Sequence, residues 1–142
     1  MSIEDISRLL EIILNSLSNA DFAWRVDGSA NLAIQGIELP VNDLDITTDE
    51  EGIMLFKEAL GKYIVDDFFN KQKNCKSLVC DINGFRVEIN SFNDQRSMTD
   101  KNKTVLWKGL FVPILPLEYA RIFYQQINRP EKVKIINSFL AQ

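Results

Sequence analysis

Hydrophobic positions near the N-terminus recur at helical spacing: Ile3, Ile6, Leu9, Leu10, Ile13 and Leu17 form one stripe, with Ser2 placed to cap and Glu4 and Asp5 in the first turn. The period then drops to two. Phe22, Trp24 and Val26 alternate along residues 22–27, which predicts a strand that Gly28-Ser29 interrupts. A short helical pattern over 30–35 follows and stops at Gly36. Residues 43–48 are rich in β-branched side chains and predict a second strand. Asp49, Glu50 and Glu51 then open a helix that sends Ile53, Phe56, Ala59 and Leu60 to the core, with acids where the helix dipole favours them.

After Gly61, three strand patterns follow at 64–72, 77–82 and 85–92, the last two joined by Asn83-Gly84, a two-residue hairpin turn. That turn fixes the register: Ile82 faces Phe85, Asp81 faces Arg86 and Val79 faces Glu88. Leu78, Cys80, Ile82, Phe85, Val87 and Ile89 then share an apolar face, and Asp81, Arg86, Glu88 and Asn90 share a polar one. Asp81 and Arg86 are expected to form a cross-strand ion pair of small value. Residues 94–103 predict a solvated loop, residues 104–114 an extended segment, and 117–127 and 131–140 two helices opened by Pro116 and Pro130.

This order predicts a single α/β (α+β) domain over 1–142: a small mixed sheet flanked by helices, with its core at about 22–93 and a C-terminal helical appendage at about 116–141. The size and 46% hydrophobic content are sufficient for a substantial core. A net charge of −4 argues against a phosphate-coating, nucleic-acid-binding face. No apolar run reaches the ~20 residues of a membrane span, and the acidic, amphipathic N-terminus resembles no targeting segment, so a cytoplasmic protein is expected. Cys75 and Cys80 lie an odd number of positions apart on one strand and are expected to remain free thiols.

The chain contains no histidine, which excludes Ser-His and Cys-His catalysis and His-ligated zinc. Carboxylates remain. Asp43 and Asp45, two apart on a strand, project to one face while Leu44 and Ile46 point into the core. At ~4 Å and an effective dielectric near 20, their repulsion is about 4 kcal/mol, which invites a cation or a raised pKa. Glu88 supplies a third acid if its strand neighbours theirs. Gly28 lets backbone approach a ligand closely, and Ser29 with the N-terminus of the short helix suits a phosphate. Most of Trp24, Trp107, Phe68 and Phe69 are expected to pack in the core rather than stack on a base, Tyr119, Phe123 and Tyr124 to complete a core or dimer face rather than a substrate pocket, and Lys101, Lys103 and Lys108 to be solvated.

Gly28-Ser29, a short helix, the Asp43-Leu44-Asp45 triplet and a later acid at Glu88 together resemble the DNA polymerase beta-like nucleotidyltransferase superfamily over residues 22–92. Within it the chain is most similar to aminoglycoside and lincosamide nucleotidyltransferases and to minimal nucleotidyltransferase antitoxins. It departs from many of them in reading Gly36-Ile37-Glu38-Leu39-Pro40 where they carry an arginine. The resemblance implies transfer of a nucleoside monophosphate from a nucleoside triphosphate, ATP by expectation, to a hydroxyl of a small molecule or protein. It also implies two Mg²⁺ ions held by Asp43, Asp45 and Glu88, Glu88 serving as ligand or base, and triphosphate held by Gly28 and Ser29. A homodimer or a toxin-antitoxin partner is compatible with it. The alternative is a catalytically silent nucleotidyltransferase-like binding module, an antitoxin or regulatory subunit.

Overall fold

A computed structural model describes residues 1–142. The N-terminal stripe becomes α1 (Ile3–Leu17), closed by a capping box: Ser2 Oγ accepts from the Asp5 amide at 3.1 Å and Asp5 Oδ2 accepts from the Ser2 amide at 2.8 Å. β1 (Trp24–Asp27) leads directly into α2 (Gly28–Ile34), and β2 (Leu44–Thr48) into α3 (Glu50–Ala59). β3 (Ile64–Asn70), β4 (Cys75–Ile82) and β5 (Phe85–Ser91) form an antiparallel meander. β6 (Lys103–Trp107) and β7 (Leu110–Ile114) precede α4 (Leu117–Gln126) and α5 (Pro130–Leu140).

The strands make one seven-stranded sheet in the order β3-β4-β5-β2-β1-β7-β6. It is mixed: β2 runs parallel to β5 and β1 parallel to β7, while the remaining neighbours are antiparallel. The expected hairpin register is realised, with Ile82 opposite Phe85, Asp81 opposite Arg86 and Val79 opposite Glu88, and with positive φ at both Asn83 (55°) and Gly84 (85°).

Two expectations are corrected. Residues 104–114 are not one extended segment but a second hairpin, β6–β7, turned at Lys108 and Gly109, which both take positive φ (51° and 78°). The Lys-Gly pair is a weaker turn signal than Asn-Gly, and it lies between two apolar runs, Val105-Leu106-Trp107 and Leu110-Phe111-Val112. Asp81 and Arg86 face each other without pairing: Asp81 Oδ1 accepts the Gly84 amide at 2.9 Å, while Arg86 turns to Asp43 and Glu88.

The sheet buries different chemistry on its two faces. One face packs Trp24, Val26, Leu44, Ile46, Leu78, Cys80, Val87 and Ile89 against Ile6, Leu9, Leu10 and Ile13 of α1 and Ile53 and Phe56 of α3. Trp24 meets Phe56 edge to face at 5.5 Å, the core role expected of it. On the other face a smaller cluster joins Leu32 of α2, Cys75 and Phe92 to Ala120, Phe123 and Tyr124 of α4 and Ile136 of α5. The C-terminal helices therefore cover the polar sheet face without sealing it. Both cysteines are buried free thiols, as expected. At the two sheet ends, Val65 and Phe69 on β3 and the facing pair Leu106 and Phe111 on β6 and β7 are exposed. Phe68 and Phe69 thus lie outside the core they were expected to fill. No helix is long and apolar enough to cross a membrane.

Close packing of α3 on β2 depends on Gly52. A Cβ there would collide with Thr48 Oγ1, which donates to the Ala23 carbonyl at 2.7 Å, and would lie 3.0 Å from the Phe22 ring. Gly→Ala inside a helix ordinarily stabilises by about 1 kcal/mol. Here overpacking wins, and Gly52→Ala is expected to destabilise by about 1–3 kcal/mol in urea unfolding.

Candidate active site

The strand register sets three carboxylates in a row. Asp27 on β1 faces Asp45 on β2, and Asp45 faces Glu88 on β5, all on the face opposite the α1–α3 core. Asp43, two residues before Asp45, stands half-exposed on the same side, its Oδ2 4.0 Å from Arg86 Nε. Glu88 therefore meets Asp45 across a parallel strand pair. Asp27 was not expected in the group; the alternation of charge in Arg25-Val26-Asp27 within an otherwise apolar strand is the signal that marks it.

Each acid has a different electrostatic solution. Asp27 is buried, and Arg25, fully buried two residues earlier, reaches it with Nε at 3.1 Å and Nη2 at 3.0 Å from Oδ2. Thr47 Oγ1 donates to the same oxygen at 2.9 Å, and the Gly28 amide donates to Oδ1 at 3.0 Å. The rest of the Arg25 guanidinium is satisfied by the carbonyls of Ser97 and Arg96 and by Asn102 Oδ1, so β1 is tied to the 94–102 loop. Glu88 accepts from Lys73 Nζ at 2.6 Å and lies 3.5 Å from Arg86 Nη2.

Asp45 has no partner of its own. Burial, with Glu88, Asp27 and Asp43 adding negative charge and Lys73 partly offsetting them, pushes its pKa up to about 7. A carboxylate in this state is what a cation would return to the ionised form. No three of these side chains are already drawn together as a ligand cluster. Nonetheless the donors are hard oxygens of adjacent strands with one uncompensated member, and they fit a divalent ion such as Mg²⁺.

Gly28 adopts φ +64°, and a Cβ there would overlap Asp45 Oδ2. The backbone at the strand-to-helix turn thus lies against the carboxylate, a proximity only glycine permits. Ser29 Oγ accepts from Lys132 Nζ of α5 at 2.5 Å, which leaves its own O–H available to donate. Burial lowers the Lys132 pKa from its ordinary value, with Arg129 adding to the effect and Glu131 and Asp45 opposing it.

A cavity of about 510 Å³ opens between the polar sheet face and the C-terminal helices. Asp27, Gly28, Ser29, Asp45 and Thr47 form its floor; Lys73, Arg96, Arg129 and Lys132 bring four cations to the wall, and Phe92, Phe123, Tyr124 and Ile127 an apolar side. Arg96 also stacks 4.4 Å over the Phe92 ring. Asp43 and Glu88 stand beside this lining, not within it. Phe123 and Tyr124, expected only to complete a core or dimer face, also line the cavity, whereas Lys101, Lys103 and Lys108 do not.

The fold is that of nucleotidyltransferases. A Thermotoga maritima protein described as a candidate nucleotidyltransferase superposes with a TM-score of 0.79 at 26% identity, over 99% of this chain and 96% of that one. At the level of fold alone, ANT(2″)-Ia, solved with adenylyl-2″-tobramycin, matches with a TM-score of 0.65 at 9% identity over 96% of this chain and 90% of its own. The lincosamide antibiotic adenylyltransferase LnuA, solved with lincomycin, matches at 0.64 and 11% over 97% and 98%. No curated protein matches by sequence search. The model of the aminoglycoside-2″-adenylyltransferase family matches residues 9–136, and the chain belongs to that family.

The acids should separate in a pH series. Because the folded-state pKa of Asp45 is raised from 3.8 to about 7, the contribution of this one group to stability is fully present below pH 3.8 and is lost as pH rises to about 7. Asp45→Asn escapes that loss. At about 1.4 kcal/mol for each pH unit by which a pKa moves, and allowing for residual solvent contact, it is expected to exceed the native protein by about 2 kcal/mol at pH 8 in EDTA and to converge with it near pH 4. Asp27→Asn, which strands the buried Arg25 charge, is expected to cost about 3–5 kcal/mol in the same unfolding experiment.

Proposed function

We propose that the protein transfers a nucleoside monophosphate from an NTP, ATP by preference, to a hydroxyl of a small molecule or a protein side chain. The observation that carries this reading is the Asp27–Asp45–Glu88 row beside the Gly28 turn, opening on a cavity with four cationic side chains. Such a lining suits a polyphosphate, and the family's membership supports the reaction class.

In this scheme Asp43, Asp45 and Glu88 would hold two Mg²⁺ ions, which would supply positive charge against the charge that develops at the phosphoryl group. Gly28 and Ser29, with Lys132 at the Ser29 hydroxyl, hold the triphosphate. The acceptor hydroxyl oxygen forms a bond to the alpha phosphorus, the bond from that phosphorus to its bridging oxygen breaks, and pyrophosphate leaves. Glu88 receives the hydroxyl proton. Arg25 pairs with Asp27 and fixes the end of β1, so the floor of the site does not reorganise as charge develops.

The test uses α-labelled ATP, Mg²⁺ and a panel of hydroxyl acceptors beginning with tobramycin and lincomycin, with autolabelling scored separately. Asp43→Asn combined with Asp45→Asn is expected to reduce transfer at least 100-fold while the circular dichroism spectrum is retained. Full transfer by this variant would refute the assignment, and a native protein that binds no Mg·ATP by calorimetry would instead mark a silent binding module.

A further inference from the structure

Tyr124 sits on α4 with 3% of its surface exposed, and its hydroxyl is the one buried side-chain polar atom without a hydrogen-bond partner. Leaving such a group unpaired costs about 1–3 kcal/mol, and phenylalanine would fill the same shape without that cost. The ring is well packed, edge to face with Phe123 at 5.8 Å. Tyr124 is one of the residues lining the cavity that Asp27 and Asp45 floor, and its hydroxyl is buried in that wall. Burial and the charges of those two carboxylates hold its pKa far above the ordinary tyrosine value, so at neutral pH it is a neutral O–H. It is a donor with no acceptor in the protein.

The identity of the missing acceptor follows from the surroundings. Asp27 already takes bonds from Arg25, Thr47 and the Gly28 amide. An acceptor-rich ligand entering beside Asp45 meets negative charge on the floor and needs donors that bring it close. Lys132 and Arg129 supply charge at the same cavity wall, and Tyr124 supplies a donor deep inside. We propose that the Tyr124 hydroxyl is a substrate-binding group that donates to a phosphate oxygen of the bound nucleotide beside Asp45. The inference rests on the nucleotidyltransferase reading and adds a binding residue from the C-terminal helices, outside the segment bearing the glycine turn and acid pair.

Calorimetry with Mg²⁺ and three probes, ATP, inorganic tripolyphosphate and adenosine, tests it on the native protein and Tyr124→Phe. The variant is expected to melt no lower than native without ligand, to bind ATP and tripolyphosphate about tenfold more weakly, and to leave adenosine unaffected. Tripolyphosphate affinity within twofold of native would overturn the proposal and assign the hydroxyl to solvent, as would a loss confined to adenosine. A native protein that binds neither ATP nor tripolyphosphate would overturn it together with the nucleotide reading, whereas native binding with an unchanged variant overturns the Tyr124 assignment alone.

Discussion

Three carboxylates on adjacent strands repel one another, and the chain relieves that repulsion differently at each position. Strand spacing near 4.8 Å leaves no room to ignore the charge. Asp27 is neutralised from within its own strand by Arg25, and Glu88 by Lys73 from the β3–β4 turn with Arg86 at greater range. Asp45, between them, receives no such partner and titrates near neutrality as a result. The asymmetry leaves one oxygen donor able to respond to an arriving cation while its neighbours hold the sheet in register.

The same arrangement links distant segments. Arg25 is buried only because the 94–102 loop wraps its guanidinium with two carbonyls and an asparagine. That loop positions Arg96, which spans to the Lys73 and Asn74 carbonyls and stacks on Phe92. On the other side, Asn31 of α2 and Gln35, the residue that caps its C-terminus, both donate to the Leu115 carbonyl, fastening the helix after the glycine turn to the entry of α4. The cavity floor and its helical wall are thus set by polar contacts as well as by the small second core.

Much of this was legible along the chain because local chemistry and global fold agree. Asn83-Gly84 dictates a hairpin register that places Glu88 on the polar face, and a two-residue spacing puts Asp43 and Asp45 on one side. What stayed hidden depends on contacts across long stretches of sequence. Asp27 reads as a strand end until Arg25 is seen to be buried with it, and Lys73 as a turn lysine until the meander folds over Glu88. Tyr124 reads as core because burial is what its neighbours encode; that it also lines the cavity with an unpartnered hydroxyl depends on the tertiary fold. The Lys108-Gly109 turn is hidden for a local reason, since the positive φ of both residues has a weaker sequence signal in Lys-Gly than in Asn-Gly.

The sheet is open at both ends, and the chain guards those ends with charge. Asp66 and Asp67 accompany Val65 and Phe69 on the outer strand β3, and Lys103 and Lys108 flank Leu106 on β6. Unpaired backbone beside exposed apolar side chains is a template for intermolecular pairing, which charged edge residues discourage. Near the isoelectric point of about 4.9 the overall repulsion between molecules vanishes, and concentrated salt screens what the edges retain. The charge that guards against association is thus carried at the rims of the sheet, far from the cavity.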